Sequence, residues 1–399
     1  MSLSTSTAAR SCTPCRGGAI SPDWITTNAE LAQAARDFGP VLGLDTEFQR
    51  TNTFYPLPGL YQVATAERIY LIDPLGIDDW APFRAVLEDE ARVIIMHACG
   101  EDLELMSHHL GAAPTAVFDT QLAHAFVSTD FALSYTNLVR THLDVELGKA
   151  QTRSDWRRRP LSEAQIRYAS EDVAHLLPLH ARLKGRLQTL GREQWFDETM
   201  GDHARYEPGN PDRYYLGLRK AWRFKGTDLA VLKQLTSWRE RVAMEENVPR
   251  NRVVWDEHLL TFAQRGELDE RVVRELLPKP VARRYATHIV AEHQAGRAQP
   301  PLPRLEPPLT QRQGEVSKAL RDVARARAEE HAMSQELLAR KRDVEACIRH
   351  YHATGELSPA YSGWREGLVG DSFRRILERL PRQSDGAEGP QPAAQARGE

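Results

Sequence analysis

A mixed α/β domain followed by two all-α helical bundles is the fold that this sequence predicts, and three observations predict it. Apolar runs of strand length alternate with amphipathic helical segments between about residues 41 and 190, strand signals vanish beyond about residue 200, and a proline-rich stretch at 298–308 divides the helical half. The 399 residues suffice for two or three domains, each with its own core. With 52 basic against 55 acidic residues the formal charge is only -3, so any surface for a polyanion must be local. No apolar stretch is long enough for a transmembrane helix and no secretory hydrophobic segment opens the chain, so a cytoplasmic protein without membrane attachment is expected. Residues 1–20, Ser/Thr-rich with Arg10 and Arg16 and faintly similar in composition to a transit peptide, read as a disordered tail.

In chain order, strands are expected at 41–48, 60–66, 68–73, 92–98 and 116–119, and helices at 79–89, 101–110, 120–127, 134–142 and 162–190. The short polar turn between Ala64 and Arg68 favours an antiparallel hairpin; the later strands alternate with helices, which favours parallel pairing. Asp119 before Thr120 and Leu122 has the position of a helix cap rather than a metal ligand. Cys12 and Cys15 form a Cys-x-x-Cys without a second pair to complete a zinc site, and Cys99 and Cys347 read as structural thiols. A long helix then begins after Thr227, Asn247-Val248-Pro249 breaks it, and Asp256 is positioned to cap the next; further helices fit 269–277 and 279–294. After the stiff linker come helical patterns at 312–330, 335–353 and 361–379, and a disordered tail over 382–399. The two helical segments, with Gly266-Glu267-Leu268 and Gly355-Glu356-Leu357 at matching places, have the form of degenerate copies.

Three acidic segments carry the chemistry: Asp45-Thr46-Glu47 after an apolar run, Glu101-Asp102 after Val93 to His97, and Tyr168 to Asp172 in a helical pattern. Residues i and i+2 of a strand share a face, so Asp45 and Glu47 project together; i and i+4 of a helix do likewise, which pairs Tyr168 with Asp172. Asp102 falls in the first turn of its helix, and all five groups meet at one sheet edge if strand 92–98 neighbours strand 41–48. Hard carboxylate oxygens suit Mg²⁺ or Mn²⁺, and two such ions can clamp the attacking and leaving oxygens of a phosphodiester. Each segment alone is commonplace; the order of all three is not.

Asp45-Thr46-Glu47-Phe48 with Arg50-Thr51 and Tyr55-Pro56, His97-Ala98 with Glu101-Asp102-Leu103-Glu104, Phe118-Asp119-Thr120-Gln121, and Thr152 to Trp156 leading to Tyr168-Ala169 and Asp172-Val173 together resemble the ribonuclease D family. This is the tyrosine-type branch of the DEDD 3′-to-5′ exonucleases. The resemblance is close over 40–200 and weaker over the helical half. It implies a ribonuclease H-like exonuclease domain at 21–200, a linker at 201–227, an HRDC domain at 228–297, a Pro-rich linker at 298–309 and a second HRDC-like domain at 310–381. Carried over, Asp45, Glu47, Asp102 and Asp172 correspond to the family's metal-site acids and Tyr168 to the tyrosine that orients the attacking water. The implied activity is removal of nucleotides as 5′-monophosphates from RNA with a free 3′ end, typically tRNA precursors, with two divalent ions as cofactors and no obligate protein partner; a monomer is expected. Gln49, Asn52 and Leu57-Pro58 depart from the expected pattern without removing a site residue.

Arg153, Arg157, Arg158 and Arg159 surround Trp156, which suits phosphate pairing with base stacking on a single strand, or a packed tryptophan in a charged loop. Arg250 and Arg252 offer the first bundle a phosphate-facing side. Because the basic residues of the helical half stand apart from the acids, a chain ending near residue 205 is expected to keep its activity on short RNA. Two alternatives share the same acids: a DNA-directed exonuclease, and an inactive RNA-binding scaffold. A helicase is excluded, since Gly148-Lys149-Ala150 lacks the rest of a phosphate-binding loop.

Overall fold

The computed structural model describes residues 21–148 and 154–379, so the two expected tails, the Cys12/Cys15 pair and Arg153 lie outside the described residues. Six strands, β1 (Asp23–Ile25), β2 (Val41–Gln49), β3 (Leu57–Ala64), β4 (Ile69–Ile72), β5 (Val93–Met96) and β6 (Val117–Asp119), form one mixed sheet in the order β1-β4-β3-β2-β5-β6. The expected hairpin is present, with β3 antiparallel to β4 and to β2. β2 and β5 are parallel neighbours, as are β5 and β6, so the condition for gathering the acids is met. The β2–β5 ladder ends at Gly43 opposite Ile95, whereas β2 runs on to Gln49 against β3 alone, so Asp45 and Glu47 stand at an open edge.

Around the sheet pack α1 (Asn28–Asp37), α2 (Ala81–Leu87), α3 (Gly100–Leu110), α4 (Thr120–Ala125), α5 (Tyr135–Leu143), α6 (Glu163–Ala174), α7 (Leu176–Thr189) and α8 (Glu193–His203). Sequence patterning missed β1, which is only three residues long, and α1, although Thr27 and Glu30 form the capping box that marks its start. The single helix expected at 162–190 is two. Pro178 has no N–H for the Ala174 carbonyl, and Tyr135 enters the ladder: its hydroxyl donates to the Glu171 carbonyl (3.1 Å) and accepts from the His175 N–H (3.2 Å).

The first helical group comprises α9 (Gly226–Glu245), α10 (Arg250–Val253), α11 (Asp256–Ala263), α12 (Glu270–Leu276) and α13 (Lys279–Arg297). It starts at Gly226 rather than after Thr227, and Asp256 does not cap α11: its carboxylate accepts from the Arg239 guanidinium at 2.6 Å, with Trp255 at the cap position. The Pro-rich linker is strapped to this group by reciprocal hydrogen bonds between Gly226 and Leu302. The last helical region holds α14 (Gln311–Glu330), α15 (Glu336–Ala339), α16 (Lys341–Thr354) and α17 (Asp371–Leu377); the helix expected at 335–353 is interrupted, whereas the one expected at 361–379 is helical over 364–377 with a π turn at Glu366–Gly370. Among the described residues no helix is long and apolar enough to cross a membrane.

Alternation along the strands splits the sheet into two faces. Leu42, Leu44, Tyr61 and Met96 pack with α1 to α3, while Leu60, Leu71 and Ile95 pack with α4 to α8. The second core continues without a break into the last helical region, through Leu320, Leu337, Cys347 and Phe373. Polar links reinforce the joint: Arg192 donates to the carbonyls of Phe126 and His331, and the Ser334 N–H donates to Ala125 O at 2.8 Å. The rings of Trp195 and Trp364 stack at 5.2 Å. The first helical group instead has a core of its own.

This continuity alters the expectation for a shortened chain. Ending it near residue 205 uncovers Phe126, Phe196 and Met200, which are buried in the whole protein. Such a chain is expected to melt at least ~10 °C below the full one, at a few degrees per kcal/mol for a domain of this size, and to bind a hydrophobic dye. Calorimetry and dye fluorescence on the two chains check this; equal melting temperatures would show that the last helices add no stability.

Candidate active site

Asp45 and Glu47 lie on the face of β2 that Gly43 shares, and Gly43 admits α7 so closely that a Cβ there would stand 3.0 Å from Leu176 Cβ. Tyr168 and Asp172, one turn apart on α6, come over that face, near enough for the Tyr168 hydroxyl to lower the Asp172 carboxyl and for the Asp172 charge to raise the Tyr168 phenol. Asp102, buried in the first turn of α3, takes a short hydrogen bond from the Thr46 hydroxyl. The five residues predicted from sequence are thus together, with Thr46 as the strap between two of their segments.

The acids act on one another electrostatically, although among the described residues no three of them bring ligand atoms within 4.8 Å of one another. Burial raises Asp45 well above the ordinary carboxylate range, and the Asp172 charge raises it further. Burial also raises Asp102, with Asp45 next in effect. Glu47 is pushed up to about 9, first by burial and then by Asp45, Asp172 and Asp102. Asp172 reaches about 7 through burial, which the hydrogen bond from Tyr168 partly offsets. Burial and the same carboxylates drive the Tyr168 phenol far above its usual value, so it keeps its proton. Among the described residues none of the four acids is ion-paired with Lys, Arg or His. Hard carboxylate oxygens without a counter-charge among the described residues are the donor type that divalent cations such as Mg²⁺ prefer.

A second cluster stands behind the site. Cys99, Asp119 and His203 bring one ligand atom each within 4.8 Å of one another, which is close enough to hold a metal ion. The Asp119 carboxylate is nevertheless already engaged: it accepts from the backbone N–H groups of Ala98, Cys99, Gln121 and Leu122 and from His203 Nε2. It caps α4 as the sequence indicated, and it also holds the turn in which Ala98 has a φ of 55°, the turn that delivers α3 and Asp102. Burial alone would raise the Asp119 carboxyl; the hydrogen bond and charge of His203 and the backbone amides overcome it and hold the group well below the ordinary range.

The basic loop is placed differently from what its composition suggested. Trp156 is 1% exposed and packs in the core beside Tyr168, so it offers no face to a base; the packing alternative is the one realised. Gly59 makes room for it, since a Cβ there would meet Trp156 Cβ at 2.6 Å. Arg159 is tied by its guanidinium to Asp73 and to the Gly59 and Trp156 carbonyls, so it is a structural pin rather than a free phosphate ligand. Arg250 lies over the Phe54 and Tyr214 rings and bonds Glu240 at 2.6 Å. Arg157, Arg158 and Arg252 are exposed. Sequence reasoning missed Thr46 and Tyr135, whose roles depend on partners 56 and 36 residues away.

Residues 22–188 match the 3′-5′ exonuclease family and residues 228–292 the HRDC domain. Ribonuclease D of Pseudomonas paraeruginosa is 37% identical over 368 residues, covering 89% of this chain and 97% of that protein. The Escherichia coli K12 ribonuclease D is 32% identical over 377 residues, covering 90% and 98%. The crystal structure of Escherichia coli RNase D, described as an exoribonuclease involved in structured RNA processing, superposes with a TM-score of 0.83 over 91% of this chain and 100% of that one, at 32% identity. The catalytic core of RRP6 from Trypanosoma brucei shares the fold, with a TM-score of 0.54 at 20% identity, covering 69% of this chain and 80% of that one.

Two measurements bear on this electrostatic arrangement. The ordinary Glu and Asp values are 4.5 and 3.8, and the folded values are about 9 and about 7, so the metal-free fold retains protons that the unfolded chain releases. Its stability is therefore expected to be highest at the acid end of this window and to fall as pH rises from about 4.5 to about 9; Mg²⁺ should flatten the slope and Glu47→Gln should reduce it. Melting curves in chelator and in Mg²⁺ across that range test the sign. Separately, Asp119→Ala is expected to cost about 2 kcal/mol or more through the lost cap and the amides left unpaired, with Asp119→Asn milder, as denaturant titration can establish.

Proposed function

The chain belongs to the ribonuclease D family, a 3′-5′ exoribonuclease and hydrolase family, and from that premise we propose how its residues perform the reaction. Asp45, Glu47, Asp102 and Asp172 hold two divalent ions, Mg²⁺ or Mn²⁺, and Tyr168 orients the attacking water. The observation that carries this reading is the gathering of four acids, unpaired with any Lys, Arg or His among the described residues, with the Tyr168 hydroxyl, at the open end of β2. When bound, the ions supply charge neutralisation at the phosphodiester and activation of water. Thr46 fixes Asp102 relative to β2, and Asp172 and Tyr168 fix each other across one helical turn. The Tyr168 hydroxyl retains its proton and so acts by hydrogen bonding, not as a base.

The unpaired end of β2 suits a frayed 3′ terminus, and the physiological substrate is RNA of the tRNA-precursor class, shortened one nucleotide at a time to 5′-monophosphates. Arg157, Arg158 and Arg252, exposed beside the site and on the first helical group, are the phosphate contacts we favour. The domains divide as 21–200 for the exonuclease, 228–297 for the HRDC domain and 310–381 for a second HRDC-like unit, in a cytoplasmic monomer. The last unit rests on the 20-residue helix that opens both helical regions.

Asp45→Asn or Asp172→Asn is expected to abolish Mg²⁺-dependent shortening of a 3′-hydroxyl RNA while single-strand binding persists, because arginines supply the phosphate contacts. Undiminished cleavage by either variant would remove that residue from the site. Tyr168→Phe should lower the single-turnover rate by about 10²-fold, on the scale of positioned acid-base groups, with affinity nearly unchanged. Rapid cleavage of circular RNA, which has no end, would contradict exonucleolytic action.

A further inference from the structure

Asn247 read in the sequence as part of a helix break. In the fold it ends α9 in a left-handed conformation, φ 48°, with the Asn247 N–H on Met244 O (3.2 Å) and the Val248 N–H on Ala243 O (2.9 Å). Asn tolerates this backbone better than other side chains that carry a carbonyl. That closure leaves the side-chain Oδ1 directed away from its own helix, and it accepts two consecutive backbone N–H groups from the other domain, Phe54 at 3.0 Å and Tyr55 at 2.9 Å.

The segment it holds follows directly on β2 and is attached at every turn to the helix that carries Asp102. Arg50, three residues beyond Glu47, grips Glu104 with both guanidinium nitrogens (2.6 and 2.9 Å) and donates to Phe54 O at 3.0 Å. The Tyr55 ring stacks on His108 at 3.7 Å with an interplanar angle of 11°. Glu104 and His108 lie on α3, two and six residues after Asp102. On the opposite side the Arg250 guanidinium covers Phe54 at 4.6 Å while bonding Glu240 of α9. One amide oxygen of the helical group thus fixes a loop whose two ends bear on the strand of Asp45 and Glu47 and on the helix of Asp102.

Resting on the metal-site assignment proposed above, we infer that Asn247 is a positioning residue for hydrolysis: by accepting the Phe54 and Tyr55 amides it makes the spacing of the acids depend on the docked helical group. The group then contributes to chemistry on RNA too short to touch it.

The test compares the full-length protein with Asn247→Gly, which keeps the left-handed backbone and loses the acceptor, and Asn247→Asp, which keeps both. Amide hydrogen exchange at Phe54 and Tyr55 should quicken at least about tenfold in the Gly chain and stay near wild type in the Asp chain. On a dinucleotide or other short RNA, kcat should fall on the order of tenfold for Gly with KM unchanged, and Asp should restore kcat to within about threefold. Should the Gly chain not melt cooperatively, Asn247→His, which tolerates the same backbone but whose ring nitrogen has one lone pair and so accepts at most one of the two amides, gives the comparison in a second background. Faster exchange with unaltered kcat would overturn the inference, leaving a docking contact without catalytic effect, and so would an Asp chain as slow as Gly. Asp45→Asn is run in parallel: activity there refutes the site assignment itself, whatever Asn247 does.

Discussion

Repulsion among carboxylates held partly out of water is the constraint around which this exonuclease is built. Asp45 and Glu47 come from β2, Asp102 from α3 and Asp172 from α6, and Asp45, Asp102 and Asp172 each raise the proton affinity of at least one other acid of the four. Such an arrangement is unfavourable on its own, so the surrounding structure must hold it against its own tendency to spread. Thr46 clamps Asp102, and Asp119 fixes the strained turn before α3 through the Ala98 and Cys99 amides while capping α4 through those of Gln121 and Leu122. Thr46, Asp102 and Asp119 are buried, where a hydrogen bond counts for more than it would in water.

The sheet topology makes the arrangement reachable. β2 is the strand at which antiparallel pairing on one side gives way to parallel pairing on the other, and it outruns its parallel neighbour. Its far end therefore lies open on one side while remaining anchored by β3 on the other. Gly43 and Gly59 let α7 and the Trp156 loop press directly against that strand pair, so the acids are backed by packed side chains rather than by solvent.

Most of the site could be read from the chain because its geometry follows from local periodicity: i and i+2 on a strand, i and i+4 on a helix. The five chosen residues are neighbours for that reason, and the parallel pairing of β2 with β5 supplied the rest. Non-local partners could not be read. Nothing near Glu163–Ala174 signals that Tyr135 will enter its hydrogen-bond ladder, though Pro178 was a visible warning that one long helix could not continue. Composition misled at Trp156 and Arg159, where an arginine-tryptophan cluster fits RNA equally well on paper; burial and the Asp73 carboxylate decided against it. Thr27 and Glu30 show the reverse case, a cap signal present in the sequence and passed over.

The core shared by the nuclease sheet and the last helices has a consequence for biosynthesis. Arg192 and Ser334 make contacts that span 139 and more than 200 residues of chain, so one face of the sheet cannot close until α17 has emerged from the ribosome. With roughly 180 residues still to be added after α8, at about 5–20 residues per second, the nascent nuclease spends on the order of 10–40 s with that face uncovered. A newly made chain thereby reaches its finished fold only after α17 has been made, and the apolar face of α4, α7 and α8 is the surface a chaperone would meet in the interval.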